Sequence, residues 1–183
     1  MVDFFYSRTG IPYAQMLKWR LHLISGDIQM ISSGPIEDRL AIRELVDSYN
    51  DAVMRTDGEA WAENWRDDAT WELPGAGPIA GKANFFPVWQ QAMSGFDFVG
   101  FFASAGPMEV NGDKAHATWY QQEFLHQKDG VKRNVTGQYE DDYVKVDGRW
   151  YFQKRIYTVL NLSLIHISEP TRPLYISYAV FCL

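Results

Sequence analysis

The sequence has few of the residues that redox, metal or nucleic-acid chemistry depends on. Its 183 residues include one cysteine, Cys182, which excludes a disulfide framework and a thiolate metal site. Lysine and arginine number 17 against 23 aspartates and glutamates, so the net charge of −6 opposes a nucleic-acid surface. No apolar run approaches the roughly 18 residues of a membrane span. We therefore expect a cytoplasmic protein with no metal, no nucleic-acid partner and no membrane.

Several sequence motifs of known enzymes are also absent. GxGxxG, GxxxxGK[ST], GxSxG and HExxH do not occur, so nucleotide-binding, α/β-hydrolase and zincin functions have no support. The whole sequence is 46% hydrophobic and 15% aromatic, which is enough apolar material to fill the core of one domain.

The two ends of the chain differ from the middle. Residues 162–172 read LSLIHISEPTR and residues 176–183 read ISYAVFCL, and both resemble a translated sequencing adapter. We therefore expect residues 162–183 to be an artefact, with a native hairpin or docking tail as the alternative. Residues 1–29 show no clear helical or strand periodicity in their apolar residues. They are either a non-native upstream extension or a native arm. The expected domain spans residues 30–161.

Helices are predicted in the first half of this domain. Gly34-Pro35 is typical of a helix start, and apolar residues then recur at positions 42, 45, 46, 49 and 53, which lie on one helical face. Asp57-Gly58 ends this helix and begins a short second one, with Trp61 and Trp65 one turn apart. A strand over residues 69–73 and a loop over 75–78 precede a third helix over 84–93, with Pro87 in its first turn.

Strands are predicted in the second half, where the hydrophobic period changes to two. The expected strands cover residues 96–110, 114–127, 131–146 and 149–160, joined at Asn111-Gly112, Asp129-Gly130 and Asp147-Gly148. Such pairs favour hairpins because both central residues of the turn accept positive φ. Helices followed by an antiparallel meander indicate an α+β domain with helices on one sheet face.

This order of elements resembles the nuclear transport factor 2-like fold. The stretches IEDRLAIRELVDSYNDAV, RTDGEAWAENWRDDATWE, PIAGKANF and GQYEDDYVKVDGRWYFQKR resemble the SnoaL-like branch, which includes polyketide cyclases and dehydratases. The resemblance covers nearly all of residues 35–160. It implies a cone of three helices on a curved, mostly antiparallel sheet, with a small apolar ligand in its open mouth. It also implies cofactor-independent chemistry and a homodimer through the outer sheet face.

The predicted site centres on Glu123. Alternation along its strand places Glu123 on the same face as Trp119 and Gln121, although an unpaired charge is costly to bury. The carboxyl group therefore either lines a wet pocket or reaches solvent or an arginine. As a general base it would have a pKa raised by burial.

The bile-acid 7α-dehydratase branch of the family supplies a second candidate. That branch uses a tyrosine on the first helix, a histidine after the third helix and an aspartate in WYxxD. Tyr49 falls at the tyrosine position and Glu123 of WYQQE at the aspartate position, whereas FFASAG, residues 101–106, has no histidine. Because dehydration needs both a base and an acid, this absence argues against that mechanism. Tyr49 also fits as a core residue of the first helix.

The other candidates are weaker. Asp141 shares a face with Tyr139 and is a reserve acid–base group, and Arg155 could pair with one of the carboxylates. His126 could reach the pocket mouth, although alternation places it on the face of the strand opposite to that of Glu123. The expected ligand-binding residues are Trp65, Trp89, Trp119, Gln121 and Tyr139. The predicted function is a pocket protein that acts as a lyase or isomerase on a compact, partly hydrophobic metabolite, or a non-catalytic ligand-binding or subunit-partner domain.

Overall fold

The computed structural model describes residues 31–165, which form three helices and one seven-stranded sheet. The helices are α1 (Ile36–Arg55), α2 (Gly58–Ala62) and α3 (Lys82–Met93). The strands are β1 (Ser32–Ser33), β2 (Trp65–Leu73), β3 (Gly77–Ala80), β4 (Phe96–Asn111), β5 (Lys114–Gln127), β6 (Lys132–Val146) and β7 (Arg149–Ile165). The predicted α+β class and its order of elements are confirmed.

The sheet is mixed, curved and unclosed. Its strand order is β1-β4-β5-β6-β7-β2-β3, with antiparallel pairing along the β4–β7 meander and parallel pairing of β1 with β4 and β2 with β7. Register shifts interrupt β4 between Ala105 and Met108, and the β6–β7 pair at Thr136/Gly137 and Asp142/Tyr143. Each bulge adds local bend and twist, so the long strands curl around the helices.

Helix α1 covers the concave face of the sheet. Its apolar stripe is buried, and the helix ends where Thr56 adopts a left-handed φ of 55°. At the other end, Asp38 accepts hydrogen bonds from Lys145 Nζ (2.7 Å) and Trp150 Nε1 (3.0 Å). These contacts lower the pKa of Asp38 and attach the first turn of α1 to the β6–β7 hairpin.

The sequence prediction was wrong about Trp65. Helix α2 ends at Ala62 because Asn64 Nδ2 bonds the carbonyl of Ala60 (2.9 Å), while the carbonyl of Asn64 accepts from the Phe152 amide (2.9 Å). The chain is thus drawn into pairing with β7, and Trp65 begins β2, four residues before the predicted strand start.

Helix α3 begins two residues earlier than predicted. Gly81, with φ of 86°, forms its N-cap, and Asn84 Nδ2 bonds the Ala80 carbonyl (2.8 Å). Pro87 is consequently inside the helix rather than in its first turn, so it offers no N–H to the carbonyl of Ala83. The short strands β1 and β3 were not predicted.

The hairpins lie where the turn motifs predict them. Asp147 (φ 50°) and Gly148 (φ 81°) both adopt positive φ, as the motif requires. At Asn111-Gly112 only Gly112 does so, because Asn111 still belongs to β4 and pairs with Lys114.

The two sheet faces differ as the alternation of β5 predicts. Ala115, Ala117, Trp119 and Gln121 are buried on the inner face, and Glu123 follows them in the same parity. The outer face carries the exposed aromatic rings of Phe98, Phe102 and Tyr120.

Strand β7 continues to Ile165, beyond the predicted domain end at residue 161. Leu162 and Leu164 pair with β6 in register but are exposed, so they add little to the core. The proposal that residues 162–183 are an artefact falls outside the described residues from 166 onward, as does the proposal for residues 1–29, and both stay predictions. In the part of the chain that the structure describes, no helix meets the length and hydropathy that a membrane span requires.

Candidate functional site

A small cavity lies between the inner sheet face and helices α1 and α3. Its volume is about 190 Å³, and its walls are almost wholly apolar and aromatic; among the lining residues that the structure describes, Glu123 alone carries a carboxyl group. The lining residues that the argument uses are Tyr49, Trp71, Trp89, Glu123, Tyr139 and Tyr157. A concave apolar site with few polar groups is the usual form of a small-ligand site.

Glu123 is the charge-bearing residue of this cavity. It lies opposite Phe101 of β4 and Val135 of β6, both of which are apolar and buried. No described residue forms a hydrogen bond or a salt bridge with its carboxyl group. Burial raises the pKa of Glu123 to about 7, so its carboxyl group exchanges a proton near neutrality.

Tyr49 lines the same cavity from α1. Its ring is 98% buried and packs against Phe152 at 5.4 Å, Trp61 at 5.8 Å and Phe101 at 5.8 Å between ring centroids. Burial raises the pKa of Tyr49, although the positive charge of Arg155 acts in the opposite direction. The hydroxyl group therefore remains protonated and able to donate. Tyr49 is thus both a core residue and a wall of the cavity.

Asp141 forms a buried ion pair behind the cavity wall. Arg155 Nε donates to Asp141 Oδ1 (2.8 Å) and Arg155 Nη2 to Oδ2 (2.6 Å), while the Tyr143 hydroxyl donates to Oδ2 (2.7 Å). Both charged side chains are essentially inaccessible to solvent. With its two oxygens engaged in this way, Asp141 is held as a counterion, and the geometry disfavours the reserve acid–base role that the sequence suggested.

Tyr157 is a wall residue that the sequence reasoning missed. Gln121 Nε2 donates to its hydroxyl oxygen at 2.6 Å, and burial raises the pKa of Tyr157. Gly137 makes this arrangement possible, because a Cβ atom there would lie 2.3 Å from Tyr157 Cε2 and 2.6 Å from Gln121 Nε2. Tyr157 lies two residues after Arg155 on the same strand, so the two side chains share a face. This spacing is the sequence signal that could have identified Tyr157.

The other predicted residues divide between the cavity, the core and the outer face. Trp89 and Tyr139 line the cavity. Trp65 and Trp119 are buried core residues, and Gln121 lies behind Tyr157. His126 has the opposite parity and packs against Phe98, 5.1 Å between ring centroids, so the structure does not bring it to Glu123.

A wider groove of about 560 Å³ crosses the sheet beside His116. Its rim carries the exposed, charged side chains Glu109, His116 and Asp142. His116 bonds Asp142 (2.8 Å) and Glu140 (3.0 Å), and these contacts, led by the Asp142 bond, raise the pKa of His116. Partial burial of His116 opposes this rise, and the hydrogen bonds outweigh it. Within residues 31–165, no group of three metal-ligating side chains is placed to hold an ion.

Helices packed on a curved, unclosed mixed sheet, with a cavity between the two layers, define the nuclear transport factor 2-like fold. The model of the SnoaL-like domain matches residues 35–156, and the chain therefore belongs to the SnoaL-like family. Among proteins of curated function, none matches the sequence significantly.

Solved structures share the fold at low sequence identity. A hexachlorocyclohexane dehydrochlorinase, LinA type 2, superposes with a TM-score of 0.67 at 18% identity, covering 75% of this chain and 95% of its own. A proposed aromatic ring hydroxylase from Novosphingobium aromaticivorans superposes with a TM-score of 0.68 at 25% identity. The match covers 73% of this chain and 96% of the hydroxylase chain. A proposed scytalone dehydratase from the same organism superposes with a TM-score of 0.65 at 18% identity. The match covers 72% of this chain and 90% of the dehydratase chain. Different activities on one fold mean that the fold does not specify the reaction.

The buried ion pair generates a first prediction. We expect Asp141→Asn to lower the free energy of unfolding by about 3–5 kcal/mol, because Arg155 is left as an uncompensated buried charge. Denaturant unfolding measures the change. The control is Asp142→Asn on the next position of β6, where the carboxylate is exposed and the expected loss is below about 1 kcal/mol. Equal losses at the two positions would contradict a structural role specific to Asp141.

The raised pKa of Glu123 generates a second prediction. The unfolded chain ionises near the ordinary pKa of 4.5 and the folded chain near 7, so rising pH between these values favours the unfolded state. We expect Glu123→Gln to be neutral below about pH 4.5 and stabilising by about 3 kcal/mol above pH 7, because the amide carries no charge to desolvate. Glu109→Gln, at an exposed outer position, is the control. A several-kcal/mol loss in Glu123→Gln would indicate an ion pair instead.

Proposed function

We propose that this chain binds a compact, partly hydrophobic metabolite in the Glu123 cavity and acts on it as a cofactor-independent lyase or isomerase, with dehydratase- or cyclase-like chemistry. The observation that carries the proposal is the carboxyl group of Glu123, which lies in an aromatic cavity without a hydrogen bond or ion pair from the described residues. A group whose pKa is near 7 can both accept and return a proton at neutral pH.

The proposed roles divide between two residues of the cavity. Glu123 removes a proton from the ligand, and Tyr49 donates a hydrogen bond to the oxygen on which negative charge develops. A single carboxyl group that takes a proton from one atom and returns it to another is sufficient for an isomerisation. In a dehydration the same group would have to protonate the leaving hydroxyl, because residues 101–106, the stretch that resembles the histidine region of the dehydratase branch, contain no titratable side chain.

The experiment compares the whole chain with its Glu123→Gln variant. Each is incubated with a mixed metabolite extract, and mass spectrometry follows which compounds are retained and which are converted. We expect conversion by the wild type and a loss of at least about 100-fold in the variant, the scale of a general base. Tyr49→Phe, which keeps the ring in the core, should reduce conversion without lowering the melting temperature by more than a few degrees. Equal retention with no conversion by either protein would favour a non-catalytic ligand-binding domain.

A second candidate function is that of a subunit-partner domain. The outer face of β4 and β5 carries an aromatic patch, defined by Phe98, Phe102, Tyr120 and Phe124, in which three of the rings are about half exposed. A contiguous apolar patch of this kind favours a protein contact, and a second copy meets it with the same residues across a two-fold axis. We propose a homodimer through this face, located in the cytoplasm.

The dimer proposal is tested by the molar mass in solution. We expect the wild type to scatter light as a dimer and Phe102→Glu to scatter as a monomer, because a charge would be buried at the centre of the patch. Glu109→Gln on the same face, outside the patch, should stay dimeric. A monomeric wild type at all accessible concentrations would refute the proposal.

A further inference from the structure

The charges around the cavity do not balance. The charge of Arg155 is neutralised by Asp141 through two hydrogen bonds, and Tyr143 completes the shell of that carboxylate. Glu123 has no such counterpart among residues 31–165: no lysine, arginine or histidine of this part of the chain lines its cavity, and burial is the cause of its raised pKa. The ionised cavity therefore holds one uncompensated negative charge.

The walls around this charge are ring faces and edges. Trp71, Trp89, Tyr139 and Tyr157 line the cavity together with Tyr49. Two of these rings already contact a cation, since the Arg155 guanidinium carbon lies 4.3 Å from the Tyr49 ring centroid and 4.0 Å from that of Tyr139. Aromatic rings attract cations through their quadrupole, more strongly when water is excluded.

We infer that the ligand of the cavity carries a compact cationic group, a methylated or protonated amine, which pairs with Glu123 and packs against the aromatic wall. The inference names the ligand class of the proposed function and rests on that function's use of the Glu123 cavity. The volume of about 190 Å³ is large enough for a small ammonium group. An anionic ligand would meet Glu123 without a cation to offset it.

The titratable groups near Glu123 come from several elements. Tyr49 of α1, Tyr139 of β6 and Tyr157 of β7 line the cavity and have raised pKa values, so they stay neutral when Glu123 ionises. Strand β4 contributes Phe101. Arg133 of β6 shares the inner parity, two residues from Val135, and forms no ion pair with Glu123. The cavity charge between pH 5 and 9 is thus set by Glu123.

The test uses two probes of the same shape. Choline and 3,3-dimethylbutan-1-ol differ in that a quaternary nitrogen replaces a quaternary carbon. Each is titrated into the whole chain by calorimetry at about pH 5.5 and about pH 8.5. We expect choline to bind at least about tenfold more tightly than the alcohol at the higher pH, and its affinity to fall as Glu123 becomes protonated. Choline binding near pH 7 should also release protons, because the cation lowers the pKa of Glu123.

The Glu123→Gln variant provides the matched control. It keeps the shape of the side chain and the aromatic wall, so the affinity for the alcohol should change by less than about threefold while the preference for choline disappears. Its near-UV circular dichroism reports whether the cavity is intact. Glu109→Gln should behave as the wild type with both probes.

Two results would overturn the inference. Binding of the alcohol as tightly as choline at high pH would mean that the cavity selects shape and apolarity, and the proposed pocket function would stand without a cationic ligand. The second result is that neither probe binds while a compound in the metabolite extract is converted in a Glu123-dependent way. This would refute the cationic ligand and leave the proposed chemistry intact. If the extract also gave no Glu123-dependent result, the proposed function itself would fail.

Discussion

The ion pair between Asp141 and Arg155 is the constraint on which the rest of the inner face depends. It joins β6 to β7 at the centre of the sheet, and the guanidinium group is enclosed by the rings of Tyr49, Tyr139 and Phe152 at 4.0–4.3 Å. A buried pair of this kind is weak evidence for stability, since the cost of desolvation offsets its attraction. Its effect is on position: it fixes two tyrosine rings that form the cavity wall.

The cavity exists because the sheet bends and because one residue lacks a side chain. The bulges in the β4–β5 and β6–β7 pairs curl the long strands, so that their inner face wraps around α1. Gly137 then leaves room for the Tyr157 ring, and Gln121 donates to the hydroxyl oxygen of Tyr157. Glu123 lies two residues beyond Gln121 on β5, and none of the residues from 31 to 165 forms a hydrogen bond or ion pair with it. Packing on β5, β6 and β7 thus engages the neighbouring polar groups with one another and leaves the carboxyl group of Glu123 apart.

The fold could be predicted from the sequence to within a few residues because its signals are local. Period-two alternation and the turn motifs located the four long strands, and the parity of β5 placed Glu123 on the inner face. The errors arose where a distant contact decided the outcome. Trp61 and Trp65 have helical spacing, yet the bond between Asn64 and Phe152 ends the helix between them. Asp141 was recognised as an inward acid, but its engagement with Arg155 depends on the register of β6 against β7. Tyr157 was missed because its position depends on the space above Gly137.

The indole cluster around α2 has an optical consequence. Trp61 stacks on Trp89 at 4.9 Å and lies 5.2 Å from Trp65 and 5.6 Å from Trp71, so four chromophores are in contact. At such separations their electronic transitions couple, and excitation passes rapidly from one ring to the next. The far-ultraviolet dichroism of this protein will therefore contain a strong aromatic couplet, and its helix content will be misjudged by any method that attributes the spectrum to the backbone alone. The same coupling makes the cluster an intrinsic reporter for the cavity, because Trp71 and Trp89 form part of its wall.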